Sequence, residues 1–306
     1  MSDWKLSTPV ALIIFNRPDT TKLVFAEIAK VKPPKLLVVA DGARPNRRGE
    51  VERCAAARAI IKGVNWDCEV LTNYSNVNLG CRTRVSSGLD WVFEQVPEAI
   101  ILEDDCLPNP TFFRFCEEML VRYREDARVG MVSGDNFQFG RKRSDASYYY
   151  SRYTHIWGWG SWRRVWKFYD CKAAQWPKFR DEKYLNFLVP TSSERRYWAN
   201  VFQQVYDERI DTWDYQLNLT LWSQGMVCIT PAVNLISNIG FGKEATHTRG
   251  LSVYANMQTE SIDFPLRHPE ILLPNGSADA YTAKGMFKVS FIRKIIRHFI
   301  SLCRKS

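Results

Sequence analysis

The chain lacks most of the signatures that identify a function directly. Its eight cysteines contain no C-x-x-C pair, which excludes a zinc cluster of the usual spacing, and a chain of 306 residues needs no disulfide framework. No phosphate-binding G-x-x-x-x-G-K-[ST] loop is present, because Gly242-Lys243 is followed by Glu244. The "GWGSW" segment lacks the third glycine of a dinucleotide loop, and H-E-x-x-H and G-x-S-x-G are absent. Kinase, dehydrogenase and hydrolase functions therefore lose their usual sequence support.

Long apolar runs and negative net charge are missing as well. No run approaches the ~20 residues of a membrane-spanning helix, and "MSDWKLSTPV" does not have the profile of a signal peptide. We therefore expect a cytoplasmic protein. The net charge of +9 predicts an anionic partner, and phosphate-bearing ligands, nucleic acid and acidic membranes all fit that charge.

The first half of the sequence alternates between strand and helix patterns. Apolar runs at 9–15, 35–41, 68–74, 99–103 and 129–135 are separated by helical patterns at about 20–31, 50–63, 81–96 and 111–126. Strands this apolar, alternating with helices, predict an α/β fold with a mainly parallel sheet and helices on both faces.

The second half is rich in aromatic residues, and 226–240 reads as a strand, a turn and a strand. Residues 271–286 have the composition of a surface linker. Over 287–306, apolar residues recur every fourth position among lysines and arginines, which predicts a basic amphipathic helix. Residues 287–305 could lie on an anionic membrane, or the helix could pack on the domain itself.

Polar side chains follow three of the predicted strands. "FNRP" ends the first strand, "ADGAR" ends the second, and Glu103-Asp104-Asp105 ends the fourth. In open α/β sheets, ligands bind at the carboxyl ends of the strands. A Mg²⁺ or Mn²⁺ ion bound with a diphosphate needs only one or two protein carboxylates. The alternative is a solvated turn with a helix-capping acid.

The segment from this strand through "EDDCLPNPTFFRFCEEML" resembles the metal-binding segment of nucleotide-sugar glycosyltransferases with the GT-A fold. It is most similar to the animal β-1,2-N-acetylglucosaminyltransferase I group, and it also resembles bacterial glycosyltransferase family 2-like proteins. The landmarks keep their order over most of 8–250. The resemblance implies a Rossmann-like GT-A domain over 1–270, with a nucleotide-binding half (8–136) and an acceptor-side half (137–270).

The resemblance also implies roles for individual residues. The loop after the first strand would face the nucleotide, and Asp41 would bond the uracil or ribose. Glu103 and Asp104 would contact the ribose or donor sugar, and Trp159 would lie beneath the donor sugar. The implied nucleotide and diphosphate contacts are Phe15, Asn16, Arg17, Asn78, Gly80, Arg82 and Arg84.

Asp105 would be the direct ligand of Mn²⁺ or Mg²⁺. "NIGFGKEATHTRG" resembles a mobile loop of the family, in which Lys243 and Arg249 would contact phosphate. His247 could be a second metal ligand, and the alternative is a solvated loop histidine.

"DTWDYQ" resembles the family's Trp-Asp segment, which makes Asp214 the catalytic base. An inverting transfer needs a carboxylate to take the acceptor proton, and the flanking Trp213 and Tyr215 are an apolar surround that raises a carboxyl pKa. The alternative is an acid at a helix start, and Asp211 competes for either role.

These observations predict an inverting, metal-dependent glycosyltransferase that uses a UDP-sugar. Its acceptor would be a surface glycan or lipid-linked saccharide, with possible contact with the inner face of the membrane and no nucleic-acid partner. A sugar-phosphate nucleotidyltransferase is one alternative, although "FNRP" replaces the G-x-G-x-R loop of that class. A non-enzymatic basic protein that binds membranes or nucleic acid is the other.

Overall fold

The most apolar runs of the sequence form the centre of an eight-stranded sheet. A computed structural model describes residues 4–241 and 253–287. The strands are β1 (Val10–Ile14), β2 (Lys35–Ala40), β3 (Glu69–Tyr74), β4 (Glu98–Glu103), β5 (Cys106–Pro108), β6 (Val129–Ser133), β7 (Tyr148–Ser151), β8 (Trp159–Trp162), β9 (Val227–Pro231) and β10 (Ile236–Asn238). β5 and β10 form a separate two-stranded sheet, and the other eight strands form the main sheet.

Helices flank this sheet, and the predicted α/β class is confirmed. They are α1 (Pro18–Val31), α2 (Glu50–Ala59), α3 (Gly80–Gln95), α4 (Phe112–Arg122), α5 (Arg163–Trp166), α6 (Trp176–Asp181), α7 (Leu185–Leu188), α8 (Ser192–Tyr206), α9 (Asp214–Ser223) and α10 (Gly276–Met286). A 3₁₀ turn, Ile60–Gly63, extends α2.

The strand order brings several carboxyl ends to one edge. The order is β3-β2-β1-β4-β8-β6-β9-β7. Strands β3, β2, β1 and β4 are parallel, as are β6 and β9. Because β8 runs antiparallel to both β4 and β6, β6 points the same way as β4. The loops that follow β1, β2, β4 and β6 therefore leave the sheet on the same side.

The aromatic residues of the second half form a hydrophobic cluster of their own. Tyr153, Trp176, Trp198, Phe202 and Trp222 are all buried within it. This cluster lies under α8 and α9, so it supports the segment that carries Asp214. Burial of each large ring stabilises the fold by about 2 to 3 kcal/mol.

Residues 276–286 form α10, although the sequence pattern predicts a linker there. The Asn275 side chain accepts from Ala278 N at 3.0 Å and caps the helix. Asp279 is buried, accepts from Ser151 Oγ at 2.6 Å and pairs with Arg152 Nε at 2.9 Å. The helix buries only short side chains, so it has no apolar periodicity that a sequence could display.

The predicted basic helix lies outside the described residues except for its first position. Phe287 is buried and packs against Tyr153 and Trp198, with ring centroids 4.8 Å away in both cases. Within 4–241 and 253–287, no helix has both the length and the apolarity needed to cross a membrane.

Candidate active site at the carboxyl edge of the sheet

The acid triplet occupies the end of β4 and the turn before β5. Asp104 Oδ2 accepts a hydrogen bond from Phe15 N at 3.0 Å, which ties the triplet to the loop after β1. Arg17 donates through Nη1 to Asp105 Oδ2, and the same nitrogen lies 3.9 Å from Asp104 Oδ1. The two predicted groups, "FNRP" and the triplet, are therefore in direct contact.

Three carboxyl groups lie close together at this point. Burial raises the pKa of Glu103 and of Asp104 well above the usual carboxyl range, and the charge of Asp105 raises both further. Asp214 also raises the pKa of Glu103, so the two side chains lie within electrostatic reach of each other. Arg17 opposes both shifts. A further cation bound here would stabilise the ionised carboxylates.

The described residues do not form a closed metal site. No group of three or more His, Cys, Asp or Glu side chains in 4–241 and 253–287 is arranged to hold a metal ion. A hard cation such as Mn²⁺ or Mg²⁺ accepts one protein carboxylate with the remaining ligands from diphosphate and water. The Asp105 carboxylate fits that limited role, because it is an oxygen donor beside the carboxyl groups of Glu103 and Asp104.

A glycine lets the chain pass directly over Asp105. Strand β10 pairs antiparallel with β5, and Ile239 N donates to the Asp105 carbonyl at 2.8 Å. A Cβ on Gly240 would lie 1.9 Å from Asp105 Oδ2 and 2.7 Å from Arg17 Nη1. Any other residue at position 240 would displace the Arg17–Asp105 pair.

The side chain of Asn16 forms a hydrogen bond with another part of the protein. Its Nδ2 donates to Glu50 Oε1 at 2.8 Å, and Glu50 also accepts from Arg44 N at 2.7 Å. The Arg44 guanidinium bonds Glu50 as well, and it lies 5.5 Å from the centroid of the Phe15 ring. Glu50 thus joins the loops after β1 and β2.

We expect Glu50→Gln to destabilise the fold by about 2 kcal/mol near neutral pH, because a buried charge-assisted network loses its charge. Hydrogen bonds from Arg44 lower the pKa of Glu50 from 4.5 to about 2. A lowered folded-state pKa contributes stability above the unfolded pKa and loses it as the pH falls through the folded one. The difference from wild type should therefore shrink between about pH 4.5 and about pH 2.

Denaturant unfolding across that pH range measures the effect. The matched control is Glu52→Gln, since Glu52 is exposed on the same helix. A Glu50→Gln deficit that stays constant down to pH 2 would contradict the assignment.

Asp41 holds the loop before α3. Its carboxylate accepts from Asn78 Nδ2 at 2.9 Å, from Leu79 N at 2.9 Å and from Gly80 N at 3.2 Å. Burial raises its pKa, and the backbone N–H groups oppose that rise. Two predicted ligand contacts, Asn78 and Gly80, are therefore positioned by a third, Asp41.

The two predicted arginines of α3 differ in their surroundings. Arg84 is buried, and its Nη2 donates to the Asn73 carbonyl at 2.6 Å and to Asn73 Oδ1 at 2.7 Å. Arg82 is half-buried, and its Nη1 lies 3.6 Å from Glu208 Oε1. Arg84 thus fastens α3 to β3, whereas Arg82 faces the second half of the chain.

Asp214 begins α9 and is half-buried. Thr212 Oγ1 donates to Asp214 Oδ1. The preceding Trp213 stacks on Trp159 with centroids 5.6 Å apart, and Trp159 is 0% exposed. Trp159, which the sequence predicts beneath the donor sugar, has no exposed surface for a ligand and instead supports the Asp214 segment from within the core.

Several predicted groups surround Cys81 at the start of α3. Burial raises the pKa of its thiol. Four carboxylates raise it further, namely Glu103, Asp211, Asp214 and Asp41. The structure therefore gathers acids from the ends of β2 and β4 and from the start of α9. Lys243, His247 and Arg249 lie outside the described residues.

Three contributors have no strong sequence signal. Glu50 looks like an ordinary acid in the first turn of a helix, and Gly240 like one glycine of a loop. Asp211 is identified by the sequence only as a competitor of Asp214. Their roles depend on contacts between segments that are far apart in the sequence, and such contacts cannot be predicted from the local sequence pattern.

Comparisons with known proteins do not identify a family. No family model matches the chain, and no curated protein matches it. Among solved structures, the chain is similar to 4-diphosphocytidyl-2C-methyl-D-erythritol synthase from Anaerococcus prevotii. The sequences are 10% identical, the match covers 66% of this chain and 84% of that chain, and the TM-score is 0.32. A likeness at that level carries no argument about activity.

Proposed function

We propose that this chain is a metal-dependent glycosyltransferase that moves a sugar from a UDP-sugar to an acceptor hydroxyl with inversion. The observation that carries the proposal is the contact between the loop after β1 and the acid triplet at the end of β4, in which Phe15 N bonds Asp104 and Arg17 pairs with Asp105. An inverting transfer also needs a base on the face of the reacting sugar carbon opposite the departing diphosphate, and Asp214, whose charge raises the pKa of Glu103, is the candidate for that base.

In this proposal Asp105 holds Mn²⁺ or Mg²⁺, and the bound ion stabilises the charge of the departing diphosphate. Asp214 takes the proton of the acceptor hydroxyl, with its carboxylate oriented by Thr212. Arg17 contributes positive charge on the nucleotide side of the acids. The acceptor is a surface glycan or a lipid-linked saccharide.

Calorimetric titration of the wild-type protein with UDP, with and without Mn²⁺, tests the proposal. We expect binding that depends on the metal, followed by transfer or slow hydrolysis with one member of a panel of UDP-sugars. Absence of UDP binding under both conditions would overturn the choice of donor.

A second assay distinguishes the proposed glycosyltransferase from the main alternative. A sugar-phosphate nucleotidyltransferase would release pyrophosphate from a nucleoside triphosphate when a sugar phosphate is present. We expect no pyrophosphate from any such pair. Metal-dependent pyrophosphate release without sugar transfer would replace the glycosyltransferase assignment.

A further inference from the structure

Two carboxylates from distant parts of the chain cap helix α3. Its N-cap residue, Leu79, has no side chain that can accept a hydrogen bond, and no side chain of its own segment caps the helix. Instead, Asp41 accepts from Leu79 N and Gly80 N, as described above. Asp211 accepts from the next two, with Oδ2 3.0 Å from Cys81 N and Oδ1 2.9 Å from Arg82 N. Four consecutive N–H groups are therefore shared between two carboxylates.

The two carboxylates belong to different parts of the chain. Asp41 follows β2 on the nucleotide side of the site. Asp211 lies three residues before Asp214, in the segment that leads into α9. The first turn of α3 thus connects the loop after β2 to the segment that carries the proposed base.

The segment around Asp214 is fixed on its other side as well. Tyr169 Oη donates to the Trp213 carbonyl at 3.0 Å, and Gln216 Nε2 donates to the Cys171 carbonyl at 3.2 Å. These bonds attach the segment to the loop around residues 169–171. On the side of α3, Asp211 attaches the same segment to the backbone of the helix.

The contact at α3 also leaves little room for adjustment. Gly80 has a φ of +79°, and a Cβ there would lie 2.9 Å from Asp211 Oδ2. The N-terminus of a helix favours a negative charge, so the Asp211 carboxylate is stabilised where it lies. Position 80 therefore requires glycine, and the Asp211 carboxylate is held by the helix N-terminus through hydrogen bonds and charge.

We propose that Asp211 is a positioning residue, which holds the Asp214 segment against α3 so that the Asp214 carboxylate meets the acceptor hydroxyl beside the acid triplet. This inference rests on the proposed function. A displacement of about 1 Å in a catalytic group can lower a rate roughly 100-fold. Loss of the Asp211 bonds should therefore lower the turnover number, while donor binding should persist, because Asp41 still holds the loop that carries the predicted contacts Asn78 and Gly80.

The test compares Asp211→Ala and Asp211→Asn with the control Asp207→Asn. Asp207 precedes the same segment and pairs with Arg209 at 3.1 Å, outside the proposed site. We expect Asp211→Ala to lower kcat roughly 10- to 100-fold, with UDP affinity and donor KM changed less than about twofold. Asp211→Asn keeps one acceptor oxygen and should fall between Asp211→Ala and wild type, and Asp207→Asn should match wild type.

Amide hydrogen exchange gives a readout that does not depend on transfer. In Asp211→Ala, we expect faster exchange at Cys81 and Arg82 and also in residues 212–214, because both segments lose the same contact. An unchanged kcat with faster exchange at Cys81 and Arg82 alone would overturn the proposal, since Asp211 would then be a helix cap and nothing more.

The same measurement separates the two proposals. If the wild type transfers no sugar from any donor, the proposed function fails. The proposed role of Asp211 is then tested by the amide hydrogen-exchange rates alone. Faster exchange in both segments of Asp211→Ala would then support the physical link, and unchanged exchange in 212–214 would overturn it. A folded Asp211→Asn variant covers the case in which Asp211→Ala does not fold.

Discussion

Asp214→Asn should abolish sugar transfer and leave UDP binding intact. Asparagine keeps the shape of the side chain and its contact with Thr212, but it cannot take a proton from the acceptor hydroxyl. Loss of a general base lowers a rate roughly 100- to 10,000-fold. Initial rates with the active UDP-sugar measure the loss of transfer, and calorimetric titration of UDP and Mn²⁺ measures whether UDP binding is retained.

The control for this variant is Asp207→Asn. Asp207 follows the last residue of α8 and pairs with Arg209 at 3.1 Å on the surface, so its loss should leave the rate within about twofold of wild type. If Asp214→Asn loses UDP binding as well, Asp214 contacts the donor and is not the base. If it retains full activity, the base is another acid of the site.

Asp105→Ala should remove the metal dependence of UDP binding. In wild type we expect Mn²⁺ to strengthen UDP binding, because the ion neutralises diphosphate and carboxylate charge together. Without the Asp105 carboxylate, the affinity for UDP should be the same with and without the ion. The measured quantity is the ratio of the two dissociation constants, obtained by calorimetry.

Arg17→Ala distinguishes a lost metal ligand from a lost ion pair. Both variants break the Arg17–Asp105 contact, but only Asp105→Ala removes a carboxylate. We expect Arg17→Ala to weaken UDP binding while Mn²⁺ still strengthens it. Equal loss of the metal effect in both variants would show that Asp105 acts through the ion pair rather than as a ligand.

The sheet was predictable where the strands are apolar on both faces. β1, β2 and β4 read as buried strands because "VALII", "KLLVVA" and "AIILE" contain almost no polar residue to place in water. The position of the triplet followed from the direction of β4. By contrast, β7 and β8 consist of "YYYS" and "WGSW", and large aromatic residues are compatible with core packing in any type of element.

The connections within the site were not predictable in the same way. The pairing of β5 with β10 carries Gly240 over Asp105, and it joins residues more than 120 positions apart. Glu50 bonds Asn16 across 34 positions, and Asp211 bonds Cys81 across 130. Sequence periodicity reports on neighbours within a turn or a strand, so contacts at these separations leave no local signal.

The double cap of α3 also bears on how the molecule unfolds. Half of the cap comes from a residue 130 positions later in the chain, so a fragment that ends before 211 leaves two N–H groups of this helix unbonded. β6 likewise pairs with β8 and β9, both from the other half of the sequence. Neither half can complete its hydrogen bonds alone. The described residues should therefore melt as a single cooperative unit, and truncation near residue 136 should yield a chain without a stable fold.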